Sequence, residues 1–123
     1  MTAQRFLLTV GTNKRNLELL AEFLGKEGYL TLAVTSMEEF DHVLDKSQEI
    51  SLALVDISGF DSNIWERCDH LREKDIPLLV ISPKHSAAIQ QESIGRGARG
   101  VLVKPLAVRE LIGLVNTLLE GSE

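Results

Sequence analysis

Apolar residues fall along this chain in two kinds of pattern. Short continuous runs at 6–10, 51–56, 78–81 and 101–103 are bounded by polar residues and turn formers. Runs that short and that apolar read as strands covered on both faces, the mark of central strands in a parallel sheet. Residues 29–34 add another strand, rich in β-formers. Between these runs the apolar positions recur at helical spacing: Leu17, Leu20, Ala21 and Leu24; Met37, Phe40, Val43 and Leu44; Ile64, Cys68 and Leu71; and, most regularly, Val108, Leu111, Ile112, Val115, Leu118 and Leu119. The segment 86–94 is helical by composition but only weakly amphipathic.

Local signals punctuate the pattern. Gly11-Thr12-Asn13 turns the chain after the first strand and supplies a helix N-cap, and Gly25 and Gly28 are the available stops for the first helix. Ser36 followed by Glu39 is a capping box for the second helix, which should fray before Ser47. Pro77 bounds the third helix, and 58–62 reads as an irregular loop.

Strands alternating with helices, all short and apolar, imply right-handed crossovers and a parallel sheet covered on both faces. The expected fold class is therefore α/β, a doubly wound, flavodoxin-like (βα)5 unit with strand order 2-1-3-4-5. Residues 1–123 should form a single domain with its core at about 6–119. That order gathers the carboxyl ends of strands one, three, four and five, which carry Gly11 and Thr12, Asp56, Ser82 and Lys104.

Composition narrows the chemistry. The formal charge of -5 and the lack of a basic stripe argue against direct nucleic-acid binding. The single cysteine, Cys68, cannot form an internal disulfide, and no Cys/His spacing resembles a metal site, so a reducing, cytoplasmic setting is expected. The first residues lack the apolar core of a signal peptide, and no run is long enough to span a membrane. His42, His70 and His85 read as solvent or interface residues, and Trp65 and Cys68 as packing residues. Gly95-Arg96-Gly97-Ala98-Arg99-Gly100 matches the dinucleotide fingerprint in letters only: it precedes a strand, so its glycines read as ending the fourth helix and turning into strand five. Gly11-Thr12-Asn13-Lys14 could bind an anion as flavodoxins bind flavin phosphate, but few aromatics are present and the loop is not hydroxyl-rich.

An aspartate after strand three, a hydroxyl after strand four and Lys-Pro after strand five make the chain resemble the receiver domain of two-component response regulators. The resemblance runs over about 6–119 and rests on Asn16-Leu17-Glu18-Leu19-Leu20, Asp56-Ile57-Ser58, Ile76-Pro77, and Gly97-Ala98 leading to Leu102-Val103-Lys104-Pro105. It implies that Asp56 stands at the position that takes a phosphoryl group from a histidine kinase. It further implies that Ser82 and Lys104 are the phosphate-contacting hydroxyl and lysine, and that the Lys104–Pro105 bond is cis. The chemistry needs a carboxylate nucleophile, a cation to absorb phosphoryl charge and a hydroxyl to report the new group.

The chain departs from that pattern in three places. The acidic pair that holds magnesium in the family falls at Gly11 and Thr12, and Mg²⁺ usually takes one or two carboxylates besides phosphate. The aromatic switch position is Val101, which cannot perform an aromatic swing. The loop after Asp56 lacks the family's Met-Pro step and later Gly.

With the other acids gone, Asp56 faces Lys104 in a pocket that can neutralise itself, so a direct pair without metal and one held conformation are expected. Lys14 and Arg15 would add positive potential near the mouth. The reading is thus a divergent, pseudo-receiver signalling module, not an enzyme, with no catalytic residues, metal or cofactor. Its expected contacts are proteins, made through helix four, strand five and helix five (89–96 and the exposed face of 108–119): a histidine kinase, an output domain or a second copy of the chain, with neither nucleic acid nor membrane. Two alternatives stand beside it. One is a working phosphoreceiver in which Thr12, Asn13, water and Asp56 hold Mg²⁺ weakly; the other is a flavodoxin-type cofactor binder.

Overall fold

The computed structural model describes residues 6–46 and 49–120. Its elements are β1 (Phe6–Val10), α1 (Lys14–Lys26), β2 (Leu30–Val34), α2 (Met37–Asp45), β3 (Ile50–Asp56), α3 (Ile64–Glu73), β4 (Leu78–Ser82), α4 (Ala87–Gly95), β5 (Ala98–Val103) and α5 (Val108–Glu120). All strand pairings are parallel and the order is β2-β1-β3-β4-β5. The doubly wound architecture expected from the apolar runs is the one observed.

Successive side chains of a strand point to opposite faces, and the core divides accordingly. Leu8, Val10, Ala53, Val55, Leu78 and Val80 face α2 and α3, packing with Phe40, Leu44, Ile64, Cys68 and Leu71. Leu7, Leu52, Leu54, Leu79 and Ile81 face α1 and α5, packing with Leu17, Leu20, Leu24, Leu111, Val115 and Leu119. The central strands β1, β3 and β4 therefore lie between two apolar layers, which is why their sequences do not alternate. Edge strands β2 and β5 are less covered, with exposed residues at Leu30 and Ala33 in β2 and at Arg99 in β5. Trp65 is partly buried against the first layer, whereas His42, His70 and His85 are exposed.

Several ends are set by local chemistry. The Asn13 side chain accepts from the Asn16 N–H, and α1 runs through Gly25 to end at Lys26, with Gly28 at φ 90° turning the chain after it. The hydroxyl of Ser36 accepts from the Glu39 N–H at 3.1 Å. The Glu39 carboxylate reaches one residue further back than an ordinary capping box, accepting from the Thr35 N–H at 2.7 Å and the Thr35 hydroxyl at 3.0 Å. Helix α2 ends at Asp45, and the fraying expected before Ser47 touches a residue outside those described. The segment 1–5 likewise lies outside them.

Strand β5 starts three residues earlier than the sequence pattern indicates, at Ala98 instead of Val101. Ala98 pairs with Leu78, then the register shifts before Val80 pairs with Val101. The intervening Arg99 and Gly100 sit on an edge and carry no apolar signal. Gly95 is the last residue of α4 and Gly97, at φ 98°, makes the turn, so these glycines serve the chain path. Helix α4 buries one residue, Ser93, whose hydroxyl donates back to the Ile89 carbonyl at 2.7 Å. Polar ties hold it in place of an apolar stripe: Arg96 bonds Glu92 and Asp69 of α3, and Arg72 donates to the Gly95 carbonyl.

Candidate functional site: the strand ends around Asp56

The carboxyl ends of β1, β3, β4 and β5 meet where the strand order reverses, the place where open α/β sheets gather their chemistry. Asp56, the last residue of β3, is 6% exposed. A buried carboxylate needs a partner, and it has two. Its Oδ2 lies 2.7 Å from Lys104 Nζ, and its Oδ1 accepts from the Ser58 N–H at 3.0 Å. The Lys104 ammonium also donates to the Ser58 hydroxyl at 3.3 Å. The backbone N–H of Lys104 donates to the Ser82 carbonyl at 2.9 Å, which anchors the lysine as β5 leaves the sheet, and the Lys104–Pro105 peptide is cis. The direct Asp56–Lys104 pair expected from the missing acids is present.

Gly11 and Thr12 occupy the end of β1 beside this pair. A Cβ at Gly11 would sit 3.4 Å from the Asp56 Cβ and 3.3 Å from Leu17 Cδ2, so β1 closes down tightly on the aspartate. Thr12 reaches across to the loop after β3, its hydroxyl donating to the Ser58 carbonyl at 3.0 Å. Gly59 follows at φ 83°, and a Cβ there would lie 2.6 Å from the Thr12 hydroxyl oxygen. Only glycine satisfies both the positive φ and the close approach.

Ser82 is buried at the end of β4, and its hydroxyl is engaged by Lys84. It donates to the Lys84 carbonyl at 2.7 Å and accepts from the Lys84 N–H at 3.4 Å, closing the turn toward α4. Val101 is partly buried against the α2/α3 layer of the core. Lys14 and Arg15 are exposed at the start of α1. The sequence pattern brought Asp56 and Lys104 together correctly but missed Ser58, which touches Asp56, Lys104 and Thr12. No spacing rule marks a loop serine; the one signal available was the glycine following it.

No family model matches the chain. Its sequence is 27% identical over 124 residues to the transcriptional regulatory protein GltR of Pseudomonas aeruginosa, covering 97% of this chain and 50% of that protein. It is 30% identical over 116 residues to the transcriptional regulatory protein CusR of Escherichia coli, covering 92% and 50%. The chain thus spans about half the length of the curated relatives it matches. Among solved structures, a CheY-like response regulator receiver domain from Methanospirillum hungatei superposes with a TM-score of 0.87 at 20% identity, covering 97% of this chain and 96% of that one. In sequence the chain is similar to response regulators, and in fold to their CheY-like receiver domains. Its curated relatives are named transcriptional regulatory proteins, and the flavodoxin-type alternative is not favoured.

Proposed function

We propose that this receiver domain is a pseudo-receiver: it signals through protein contacts, in one standing conformation, with little or no Mg²⁺-dependent phosphotransfer to Asp56. The observation that carries this reading is the closed network around Asp56. One carboxylate oxygen takes the Lys104 ammonium, the other takes the Ser58 N–H, and the neighbouring Ser58 carbonyl takes the Thr12 hydroxyl.

The residues present do not fit the magnesium ion that the family implies. Mg²⁺ demands octahedral oxygen ligands and gives up its waters reluctantly, so it depends on carboxylates that hold it strongly. Gly11 and Thr12 offer none, and no group of three or more acidic, histidine or cysteine side chains suited to a metal occurs among the described residues. An entering ion would also have to displace Lys104 from a pair 2.7 Å long. Ser82, although it matches the family hydroxyl, is engaged by Lys84, and Val101, partly buried against the core, stands where the family has its aromatic switch; both support the reading.

The proposed contact surface is the α4–β5–α5 face. Ile94 of α4 is 51% exposed, and α4 buries only Ser93, which suits a face built for a partner. The coarse class of partner follows from the response-regulator relatives: a kinase, or an output domain such as the named transcriptional regulators suggest. A homodimer on the same face, a cytoplasmic setting and the absence of direct nucleic-acid contact belong to this proposal. No helix among the described residues is long and apolar enough to cross a membrane.

Incubation with a small phosphodonor such as acetyl phosphate, with Mg²⁺ and intact-mass readout, tests the reading. The expected result is no phosphoryl adduct. An adduct that disappears in Asp56→Asn would establish the working phosphoreceiver instead.

A further inference from the structure

A groove of about 280 Å³ opens between α1 and the segment joining β5 to α5. Its walls are apolar, from Leu19, Leu20 and Phe23 on one side and Leu106 and Val108 on the other, and its floor ends at Asp56 and Lys104. Leu19 and Phe23 are 38% and 37% exposed, unusually open for large apolar side chains on a helix whose Leu17, Leu20 and Leu24 are buried. Asn16, one turn before Leu19 and Leu20, lines the same groove.

The polar end of this groove is not electrically spent. An ammonium has three N–H donors, and Lys104 gives one to Asp56 and one to Ser58, leaving the third unused among the described residues. Its side chain is 28% exposed, so that donor is reachable. Arg15 lies four residues before Leu19 on the same side of α1, exposed, with no acid pairing it among the described residues. Asp56, the one carboxylate lining the groove, is already paired with Lys104. A compact apolar slot that ends at a cation with an open donor and is flanked by a second cation complements a small amphipathic anion.

We propose that this groove is a binding site for a small monocarboxylate with a compact aromatic or branched apolar body. The apolar body would lie between Phe23 and Leu106, and the carboxylate would take the open Lys104 N–H with Arg15 alongside. The volume falls just below the usual range for ligand pockets, which limits the occupant to a small molecule. This inference rests on the reading of Asp56–Lys104 as a standing pair. It deepens that reading, because an acceptor arriving at Lys104 competes with Asp56 and could thereby shift the site without phosphorylation.

Amide NMR titration of the whole chain with 4-phenylbutyrate tests it, with 4-phenyl-1-butanol as the matched body lacking the anionic head. At ordinary ligand efficiency a probe of about a dozen heavy atoms should half-saturate the site at about 2 mM. The expected result is saturable shifts at Asn16, Leu19, Phe23, Lys104 and Leu106, with weaker binding of the alcohol. Leu106→Trp, which fills the groove, should abolish the shifts. Arg15→Ala, an exposed change that leaves the fold alone, should weaken the acid by about threefold, as for an exposed charge contact, and leave the alcohol unchanged.

No saturable shift up to about ten times that concentration would overturn the proposal. So would equal affinity of acid and alcohol, or binding that survives Leu106→Trp. Broadening of the same amides with protein concentration alone would assign the groove to a second copy of the chain instead. Each of these is distinct from failure of the pseudo-receiver reading, which would show as phosphoryl or beryllofluoride response at Asp56.

Discussion

Removing Lys104 should expose how much the strand-end cluster depends on a charge pair. In Lys104→Ala the Asp56 carboxylate, 6% exposed, keeps only the Ser58 N–H and loses the ammonium 2.7 Å away. Breaking a fully buried pair by deleting one partner costs about 3 to 5 kcal/mol. Lys104 is 28% exposed, so water can replace part of its contribution, and about 1 to 3 kcal/mol is the appropriate range here. For a domain of this size that is a fall in Tm of roughly 4 to 12 °C. The opposite deletion should be milder. Asp56→Asn keeps an acceptor for Ser58, and the freed Lys104 ammonium can turn to solvent, so about 0 to 1 kcal/mol is expected. Thermal and urea unfolding of both single variants and the double variant would measure the coupling directly, with an unchanged m-value confirming that stability alone has moved. Lys104→Ala as stable as the parent, or Asp56→Asn more stable than the parent, would refute the claim that the pair organises this end of the sheet.

Further outcomes follow from the same geometry. Gly59→Ala combines a φ of 83° with a Cβ 2.6 Å from the Thr12 hydroxyl oxygen, so a loss of about 1 to 3 kcal/mol is expected in urea unfolding. The added variant Thr12→Ala should recover only the steric part of that loss. Burial pushes the Cys68 thiol up to about 12 from its ordinary 9.0, with the nearby Asp69 charge adding to the effect. A thiol-labelling reagent at mildly alkaline pH should therefore react only as fast as the protein opens. Because this group is raised in the folded state, its contribution is fully present below pH 9.0 and lost as pH climbs toward 12, so unfolding midpoints should fall across that window. Glu39 is held below the ordinary carboxylate range, chiefly by the Thr35 N–H and then by the Thr35 hydroxyl. Its contribution is present above that range and lost as pH falls through it, and Glu39→Gln should flatten this part of an acid titration.

The fold was legible because its central strands are apolar on both faces and its helices carry period-3.6 stripes, apart from α4. Given the strand order, Asp56 and Lys104 had to meet, and the absence of acids at Gly11 and Thr12 pointed to their direct pairing. What escaped was set by contacts rather than by pattern. The early start of β5 at Ala98 lies on an edge where Arg99 and Gly100 mask the strand. The role of Ser58 depends on a loop conformation imposed by Gly59 and Thr12. The weak amphipathicity of α4 has a cause visible only in three dimensions: Arg96 bridges Glu92 and Asp69, so charge replaces an apolar seam. Its partner Asp69 keeps one buried oxygen without a hydrogen bond, a local weakness in that seam.

The central claim is that Asp56 is already satisfied by Lys104, Ser58 and the closure of β1, and is therefore closed to metal and phosphoryl chemistry. Its most direct test is an amide NMR titration with Mg²⁺ followed by beryllofluoride, a mimic of the phosphoryl group on an aspartate. The expected spectrum is that of the folded protein, unchanged at Thr12, Asp56, Ser58, Ser82 and Val101 through millimolar Mg²⁺. Shifts spreading from Asp56 through Ser82 to Val101, absent in Asp56→Asn, would contradict it and show a functioning phosphorylation switch.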